Sequence, residues 1–591
     1  MRWVITKIDQ ALAARLAREL GVSPLIARLL VERGLDGRDR AQRFLFPTLD
    51  QLHDPFRMAD MRVAVERVRR AIAEREKVLI YGDYDVDGTM AVVVLLTALR
   101  RCGACVDAHI PDRFADGYGM NAPVVERAAR DGYRLILSVD TGIRAHAVIA
   151  RARELGLETI VTDHHLPGQS LPPAAAILNP HRSDCPYPNK ELAGVGVAFK
   201  LAQALLGFSG ERASEQLLKS FLKIVAIGTI ADVVPLVEEN RVMARFGLDA
   251  LRDPSAPGLE ALIEVSDLGG KAVTAGDVAF RLAPRLNAAG RMENARDVID
   301  LFMAHERAPA RRIAERLDGL NRERQLVEEQ ILREIITLLE GAPPPEGTER
   351  VRARARPARP IATDRYSLVE AGEGWHRGVI GIVAQRVAER YHRPALVIGV
   401  EGGVGVGSGR SIPGFHLLEA LDSCRDLFER YGGHAQAAGF TIAAERIPEL
   451  KRRFEARARA VLQPSDLEPV LRVVSEVAFS ELDREAYRAL RQLAPHGMGN
   501  PTPVFAARGV RLVGPPRVIR ERHLKLRVAQ GKQQFDALGW GWAPQGAGAG
   551  LIGAGLTAGQ SLDVAFTVEE NTYQGLSSLQ LVLKDIGGGE L

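Results

Sequence analysis

The stretch between residues 78 and 179 decides the fold, and it opens with VLIYGDYDVDG at residues 78–88. Short apolar runs follow through it, namely AVVVLLTALR, VDAHIP, LILSVD, TIVTD and AAILNP. Runs of Val, Ile and Leu that alternate with longer amphipathic segments are typical of parallel strands joined by helices. The stretch therefore predicts an α/β domain built on a doubly wound parallel sheet.

Acidic residues and histidines stand where three of these predicted strands end. In chain order they are Asp83, Asp85, Asp87, Asp140, Asp163, His164 and His165. Ligands of a doubly wound sheet bind beyond the carboxyl ends of its strands, so the three segments should deliver their side chains to one place. A further acid, Asp232 in GTIADVVP, lies in an apolar segment where an unpaired carboxylate would be costly to bury.

Carboxylates gathered in this way predict a metal site, because they raise one another's pKa unless a cation compensates. Aspartates with one or two histidines and no nearby thiolate suit Mn²⁺ or Mg²⁺. We expect two ions, about 3.5–4 Å apart, as in phosphoester hydrolysis. Taken alone, the DxDxDG pattern could also be a calcium loop or a set of turn and cap residues, and the His-His pair could be structural. The conjunction of the four segments favours catalysis.

The rest of the chain predicts several more domains, since 591 residues with 46% hydrophobic and 26% charged residues exceed one core. An amphipathic helix is expected before a Pro/Arg-rich linker, then a second α/β block, then short alternating runs typical of an OB-like barrel. The predicted boundaries are a helical lead-in at 1–75, the catalytic domain at 76–306, the connecting helix at 307–340, the linker at 341–360, the second α/β domain at 361–463 and the barrel at 464–591.

Composition indicates where in the cell the protein works more clearly than it indicates what the protein binds. The net charge of +4 neither demands nor excludes a polyanion, and the basic run at residues 350–359 is either a solvated linker or a nucleic-acid contact. Because no stretch of eighteen uncharged apolar residues occurs and the amino terminus does not look like a signal peptide, we expect a cytoplasmic protein with no membrane contact. Cys102 and Cys105 form CGAC, a redox or zinc pattern that lacks a second pair and therefore favours a structural role.

Four motifs, GDYDVDG, SVDTGI, VTDHH and GTIADVVPL, resemble in order those of the DHH phosphoesterase superfamily. Farther along, GWHRGVIGIVAQRVAERYHRPA, GSGRSIPGFHLLEAL and YGGHAQAAGF resemble the DHHA1 domain of the RecJ family of bacterial exonucleases. The resemblance covers most of the chain up to about residue 540. It implies a metal shell of Asp83, Asp85, Asp87, Asp140, His164 and Asp232. Which of the first three aspartates are direct ligands stays open.

The same resemblance implies roles for residues outside the metal shell. It predicts His434, His165 and Asp163 as catalytic residues, and His165 should lie close to the metal or the scissile phosphate. Substrate contacts are predicted at Arg113, Arg291, Ser408, Arg410 and Gly433. Of these, Arg113 follows a predicted strand, and Arg291 stands in a predicted Gly/Asn turn of NAAGRM. Both arginines are expected to recognise a terminal 5′ phosphate. Gly433 would let the backbone approach phosphate closely, and Arg410 would offer a bidentate fork.

The resulting hypothesis is a metal-dependent 5′-to-3′ exonuclease of DNA repair and recombination. It would hydrolyse single-stranded DNA to mononucleotides by attack of a metal-activated water. Its expected partners are a single strand with a 5′ end, a helicase and a single-strand-binding protein. Two alternatives are a DHH phosphodiesterase of short oligonucleotides or cyclic dinucleotides, which would not need the lead-in and barrel, and a non-catalytic repair scaffold, which would have lost metal ligands.

Overall fold

The computed structural model of the protein describes residues 1–113, 117, 119–207, 212–341, 364–521, 523–542, 556–573 and 576–587. Apart from Gly341, the predicted linker and its basic run lie outside these residues. Contacts divide the chain into two units. Unit 1 comprises Met1–Asp36, Glu323–Arg491 and Pro503–Leu591, and unit 2 comprises Gly37–Arg322 and Gln492–Thr502. None of the helices in the described ranges combines the length and apolar character that a membrane crossing requires.

The chain begins with a strand and four helices: β1 (Arg2–Ile5), α1 (Gln10–Leu20), α2 (Pro24–Glu32), α3 (Arg38–Leu45) and α4 (Met61–Ala73). An alternating α/β region follows, with β2 (Lys77–Tyr81), α5 (Val86–Arg101), β3 (Cys105–His109), α6 (Ala122–Arg130), β4 (Tyr133–Val139), α7 (His146–Glu154), β5 (Glu158–Thr162) and β6 (Ala176–Leu178). The predicted lead-in is thus helical except for β1.

The five strands β2 to β6 form one parallel sheet in the order β3-β2-β4-β5-β6. Alternate residues of a strand face opposite sides, and in β2 the side chains of Val78 and Ile80 join one apolar core while Leu79 and Tyr81 join another. Both faces are therefore covered, which confirms the doubly wound prediction. The strand order reverses direction between β2 and β4, and this switch point is where such sheets bind ligands.

Helices dominate the next part of the chain, as predicted. They are α8 (Gly194–Leu206), α9 (Arg212–Ala231), α10 (Glu238–Ala250), α11 (Pro257–Val265), α12 (Ala275–Asp277), α13 (Ala283–Met292), α14 (Arg296–Phe302) and α15 (Arg307–Glu340). The predicted connecting helix is α15. One expectation here is wrong: NAAGRM is not a turn but the end of α13, because Leu286 and Ala289 are buried at helical spacing.

The second α/β block contains β7 (Leu368–Glu373), α16 (Ile380–Tyr391), β8 (Ala395–Glu401), β9 (Val404–Arg410), α17 (Leu417–Asp422), β10 (Phe428–Gly433), β11 (Ala437–Ala443) and α18 (Ile447–Val461). Its sheet has the order β10-β11-β9-β8-β7. The glycine-rich run at 402–410 mostly forms strand β9 instead of a loop. A Cβ on Gly407 would stand 2.1 Å from the Phe440 ring, so glycine makes room there for the buried phenyl group.

The carboxyl-terminal part contains β12 (Val470–Val473), β13 (Ser475–Glu476), α19 (Arg484–Gln492), β14 (Phe505–Leu512), β15 (Arg517–Ile519), β16 (His523–Gln530), β17 (Gln533–Gly539), β18 (Ser561–Tyr573) and β19 (Leu576–Gly587). Strand β14 pairs with both β18 and β16, which closes a barrel through β19 and β17 and agrees with the OB-like prediction. Strand β1 pairs in parallel with β12, and Trp3 donates from Nε1 to Asp585 Oδ2 at 2.9 Å.

Candidate metal centre and substrate-contact residues

Three loops at the carboxyl edge of the parallel sheet deliver the predicted acids and histidines to one cluster in unit 2. Asp83 follows β2, Asp140 follows β4 and His164 follows β5. The Nε2 atom of His164 lies 3.2 Å from Asp140 Oδ1, 3.7 Å from Asp232 Oδ2 and 3.8 Å from Asp87 Oδ2. One imidazole nitrogen is therefore surrounded by carboxylates from three separate segments.

Candidate ligand atoms within 4.8 Å of one another fall into three overlapping groups: Asp83 with Asp85 and Asp140, Asp87 with His164 and Asp232, and Asp140 with His164 and His165. Asp140 and His164 each belong to two of these groups, so the groups form one continuous cluster. All six predicted metal residues are thus brought together, and each of the three first-motif aspartates faces the cluster.

Glycines let the surrounding helices approach these carboxylates. A Cβ on Gly194, the first residue of α8, would stand 2.5 Å from Asp140 Oδ1. A Cβ on Gly88 in α5 would stand 2.7 Å from Asp83 Cβ. Each helix therefore begins against the cluster, where its backbone amides point towards negative charge.

Three residues that the sequence analysis did not single out hold this arrangement. The backbone amides of Gly194 and Val195 donate to Asp87 at 2.6 and 2.9 Å. Asn287 on α13 accepts from Val86 N at 3.2 Å through Oδ1. The glycine ahead of the apolar run in AGVGVAF was a usable signal for the helix start, whereas nothing local marks Asn287.

Burial, first, and neighbouring carboxylates, second, oppose ionisation of four aspartates of the cluster. They raise the pKa of Asp83 to about 8, that of Asp87 to about 7 and that of Asp232 to about 9. The pKa of Asp140 is raised well above its ordinary value for the same reasons. Burial and the neighbouring His165 lower the pKa of His164 to about 4, so its imidazole is neutral at pH 7 and suited to ligate a metal.

The donor set fits one or two hard divalent cations. Asp140 Oδ1 and Asp232 Oδ2 are buried without a hydrogen-bond partner, and a buried carboxylate oxygen left in that state is costly unless a cation binds it. Oxygen donors with one or two imidazoles match Mn²⁺ and Mg²⁺. In the described ranges no candidate ligand group includes a thiol, and Cys102 and Cys105 are free.

Asp163 differs from the other acids because N–H donors occupy both of its oxygens. Oδ2 accepts from Ile143 N at 3.0 Å, while Oδ1 accepts from His164 N at 2.7 Å, His165 N at 3.0 Å and His165 Nδ1 at 2.7 Å. Burial alone would raise the pKa of Asp163, but the hydrogen bonds lower it. Its carboxylate holds the loop and the His165 ring, so its geometry is that of a positioning residue.

His165 lies beside the cluster and is more exposed than His164, with the two ring centroids 4.6 Å apart. Burial alone would lower the pKa of His165, but the hydrogen bond to Asp163, its charge and the neighbouring carboxylates raise it. A protonated imidazole can donate to a phosphate oxygen, which is compatible with its predicted place near the substrate.

The two predicted phosphate arginines both come near Tyr84 in the first motif. The Arg113 guanidinium lies 5.1 Å from the centroid of the Tyr84 ring. A Cβ on Gly290 would stand 2.6 Å from Tyr84 O, so α13 presses against the motif one residue before Arg291. Positive charge from Arg113 and Arg291 also acts on the Tyr84 hydroxyl. The structure thus brings Arg113 near Tyr84 and Asp83, and it places Arg291 on α13, one residue after the contact between Gly290 and Tyr84.

The remaining predicted residues lie together in unit 1. Arg410 at the end of β9 donates from Nη1 to Ser408 Oγ at 3.2 Å and to Gly409 O at 2.7 Å. His434 follows β10, where Gly433 has φ 152° and no room for a Cβ, since Ala437 O would be 2.3 Å away. Burial and the Arg410 charge lower the pKa of His434, so Arg410 and His434 are neighbours.

Comparison with known proteins supports each of these regions. Residues 77–229 match the family described as "DHH family, N-terminal domain", residues 364–460 the "DHHA1 domain" and residues 475–585 the "RecJ OB domain". The chain is 38% identical over 595 residues to the single-stranded-DNA-specific exonuclease RecJ of Bacillus subtilis, covering 100% of this chain and 71% of that protein.

Solved structures agree with the sequence match. The crystal structure of RecJ in complex with Mn²⁺ from Thermus thermophilus has a TM-score of 0.81 and 29% identity, covering 100% of this chain and 80% of that chain. The Mg²⁺ complex of RecJ from the same organism has a TM-score of 0.75 and 27% identity, covering 100% and 79%. The similarity to RecJ therefore covers the DHH, DHHA1 and OB regions, in that order along the chain.

Proposed function

Because this chain belongs to the RecJ family, we propose that it is a metal-dependent exonuclease that hydrolyses single-stranded DNA from the 5′ end to mononucleotides. The observation that carries the proposal is the carboxylate cluster around His164, which includes two buried oxygens without hydrogen-bond partners. A degenerate, non-catalytic relative would not be expected to keep such a costly group of acids. The chain is therefore an enzyme rather than a scaffold.

The six cluster residues would hold Mn²⁺ or Mg²⁺. When bound, such ions lower the pKa of an attacking water and offset charge on the phosphate. Asp163 orients His165 through Nδ1, and the oriented imidazole would donate to a phosphate oxygen. Neutral His164 offers Nε2 to a metal, while the amides at the start of α8 fix the Asp87 carboxylate.

The 5′ polarity is supported by Arg113 and Arg291, which flank Tyr84 beside Asp83. Guanidinium groups bind the oxygens of a terminal phosphate in a bidentate manner, and a doubly charged terminal phosphate attracts them more strongly than an internal one. A strand held there by its 5′ phosphate would present its first phosphodiester to the metal residues. The enzyme would then release nucleotides from that end.

In unit 1, Ser408, Arg410 and the backbone at Gly433 would contact the phosphates of the strand, and the imidazole of His434 would donate a hydrogen bond to a phosphate oxygen. The proximity of Arg410 to His434 and the hydrogen bond from Arg410 to Ser408 support one shared phosphate subsite. The predicted catalytic roles of His434 and His165 belong to this proposal, as do the domain boundaries given above, whereas Asp163, also predicted as catalytic, would act by positioning His165.

We place the enzyme in the cytoplasm, in DNA repair and recombination. A single-strand-specific exonuclease cannot itself open a duplex, so a helicase would supply the strand and a single-strand-binding protein would keep it extended. The barrel would track the strand through Arg517 in β15 and Arg520 just after it, both of which are exposed. Lys525 and Arg527 are paired with Asp536, and His523 is buried.

The proposal is tested by hydrolysis of a 5′-phosphorylated oligonucleotide in Mn²⁺ by the wild type, Asp140→Asn and Asp39→Asn. Asp140 has φ 58°, a conformation that Asn tolerates, so the substitution removes charge without new backbone strain. Asp39 lies on the surface of α3, away from the cluster, and serves as the matched control. We expect hydrolysis to be lost only in Asp140→Asn. Faster cleavage of a dinucleotide than of the long strand would instead favour a short-oligonucleotide phosphodiesterase.

A further inference from the structure

The segment Gln492–Thr502, here called the docked segment, belongs to unit 2 although the chain before and after it belongs to unit 1. Its sequence, QLAPHGMGNPT, contains two glycines and two prolines and begins at the last residue of α19. It packs on the loop that follows Asp232 and on α10. A distant part of the chain therefore contacts the support of one predicted metal residue.

Arg241 on α10 anchors the beginning of the docked segment. Its guanidinium is 1% exposed and donates to the carbonyl oxygens of Gln492, Leu493 and Ala494, each at 2.9 Å. A buried guanidinium is stable only when acceptors receive its donors. The backbone of the docked segment supplies three of these acceptors, so its position relative to α10 is fixed by Arg241.

Asn500 fixes the inside of the docked segment. Its side chain is fully buried and donates from Nδ2 to Leu493 O at 2.7 Å and to Pro495 O at 2.8 Å. A backbone bridge also joins Gly497 and Asn500. These bonds close the segment into a compact loop, which presents the Met498 carbonyl to the neighbouring chain.

That carbonyl contacts the loop after Asp232. Met498 O accepts from Leu236 N at 2.8 Å. A Cβ on Gly497 would stand 2.7 Å from Leu236 Cδ1, and one on Gly499 would stand 3.0 Å from Pro235 Cβ. The two glycines therefore permit a close approach, and a larger residue at either position would force residues 235 and 236 to shift.

The Asp232 loop needs outside support because its backbone is strained. Val233 has φ 65°, a left-handed conformation that a β-branched residue rarely adopts unless its surroundings impose it. The Oδ2 atom of Asp232 has no hydrogen-bond partner to hold the side chain in place. The direction of the carboxylate thus depends on the backbone turn, and the turn depends on what packs against residues 235 and 236.

The first turn of α10 links this support to a second metal residue. Asn240 donates from Nδ2 to Pro235 O at 3.0 Å and to Glu191 O. Glu191 precedes Gly194, whose amide donates to Asp87. Arg241 binds the docked segment, and the adjacent Asn240 binds both the Asp232 loop and the loop before α8. The first turn of α10 therefore joins all three segments.

We propose that the docked segment positions Asp232 for metal binding, with Asn500 and Gly497 as positioning residues of the metal centre. The proposal rests on the metal site of the proposed function. It adds that the docked segment, which lies within the range matched by the RecJ OB domain, supports this site. Residues that orient metal ligands typically change metal affinity about 10–100-fold when substituted, while substrate affinity is affected less.

The test is Mn²⁺ binding measured by electron paramagnetic resonance of the full chain without DNA. Asn500→Asp keeps the shape of the side chain but replaces its amide donor with an acceptor, and Gly497→Ala places a methyl group against Leu236. Gly269→Ala is the control, because a Cβ there meets nothing within 4 Å. Circular dichroism and the thermal midpoint of the metal-free protein report folding, and hydrolysis as a function of strand concentration gives KM.

We expect both docked-segment variants to remain folded and to weaken Mn²⁺ binding about tenfold or more, with KM for the strand changed less than about twofold. Gly269→Ala should bind like the wild type. Wild-type Mn²⁺ affinity in both variants would overturn this proposal and leave the proposed function intact. Absence of Mn²⁺ binding by the wild type would instead overturn the metal site itself. If Asn500→Asp does not fold, Gly497→Ala decides the result.

Discussion

Asp163→Asn and Asp140→Asn are expected to change the stability of the metal-free protein in opposite directions. Both residues are buried aspartates beside the same histidines, yet their oxygens have different partners. Asp163 is surrounded by N–H donors, whereas Asp140 faces other carboxylates. Replacing one carboxylate oxygen by an NH₂ group therefore removes attraction to N–H donors at Asp163. At Asp140 the same replacement removes repulsion from the neighbouring carboxylates.

The size of the Asp163→Asn effect follows from its four hydrogen bonds. The remaining amide oxygen can still accept the three bonds from His164 and His165, but the new NH₂ group then faces the Ile143 amide. One unsatisfied buried N–H costs about 1–3 kcal/mol, and loss of the charge weakens each remaining bond by about 1 kcal/mol. We expect a loss of about 4–6 kcal/mol, or roughly 6–10 °C in the thermal midpoint.

The Asp140→Asn effect has the opposite sign when no metal is bound. Burial and then Asp87, Asp85, Asp83 and Asp232 raise the pKa of Asp140 in the folded chain. A group with a raised pKa destabilises the folded state as pH rises through that value, so at pH 8 its removal should stabilise the protein. The gain disappears in Mn²⁺, because the wild type then binds the ion and the variant binds it weakly.

The assay is thermal unfolding at pH 8 in EDTA and again in Mn²⁺, with Asp39→Asn as the surface control. The expected order of midpoints in EDTA is Asp140→Asn above the wild type and Asp163→Asn below it. An Asp163→Asn midpoint equal to that of the wild type would refute its assignment as a positioning residue. A lower midpoint for Asp140→Asn in EDTA would refute the account of repulsion in the cluster.

Three further outcomes are expected. Since the pKa values of Asp83 and Asp232 are raised to about 8 and about 9, metal-free stability should fall as pH rises from about 4 through 9, and the increase in midpoint on adding Mn²⁺ should grow from pH 6 to pH 9. Gly407→Ala should lower the free energy of unfolding by about 1–3 kcal/mol, because its methyl group would overlap a buried phenyl ring, whereas Gly432→Ala has open space and should change it little; equal urea midpoints would contradict this. Arg410→Lys should raise KM for the strand several-fold with an unchanged thermal midpoint, since lysine lacks the planar fork, and an unchanged KM would remove Arg410 from the substrate contacts.

The sequence predicted the catalytic sheet well because local signals determine it. Each strand was a short apolar run, and the residue after it was an acid or a histidine, so the parallel topology alone brought Asp83, Asp140 and His164 together. The resemblance to the family then predicted which of the acids and histidines bind metal and which are catalytic. What the local pattern did not reveal was that Asp163, at the end of the same kind of strand, turns its oxygens towards backbone and imidazole N–H groups.

The features that the sequence analysis missed depend on contacts between distant residues. Strand β1 at the amino terminus pairs with β12 at Val470–Val473, and no local periodicity indicates such a partner. A glycine misled at NAAGRM, which is the end of a helix whose Gly290 fits against Tyr84, and the glycine-rich run before Arg410 is likewise a strand with room for Phe440. In each case glycine marks close packing, which composition alone does not distinguish from a turn.

The most direct test of the central claim is the order in which label is released from a single strand in Mn²⁺. The substrate is a long oligonucleotide with a 5′ phosphate, labelled at either its first or its last nucleotide, and the products are separated by length. The account predicts that the first-nucleotide label appears at once as a mononucleotide, while the last-nucleotide label stays on progressively shorter strands. Release of the last-nucleotide label first, or internal fragments without mononucleotides, would contradict it.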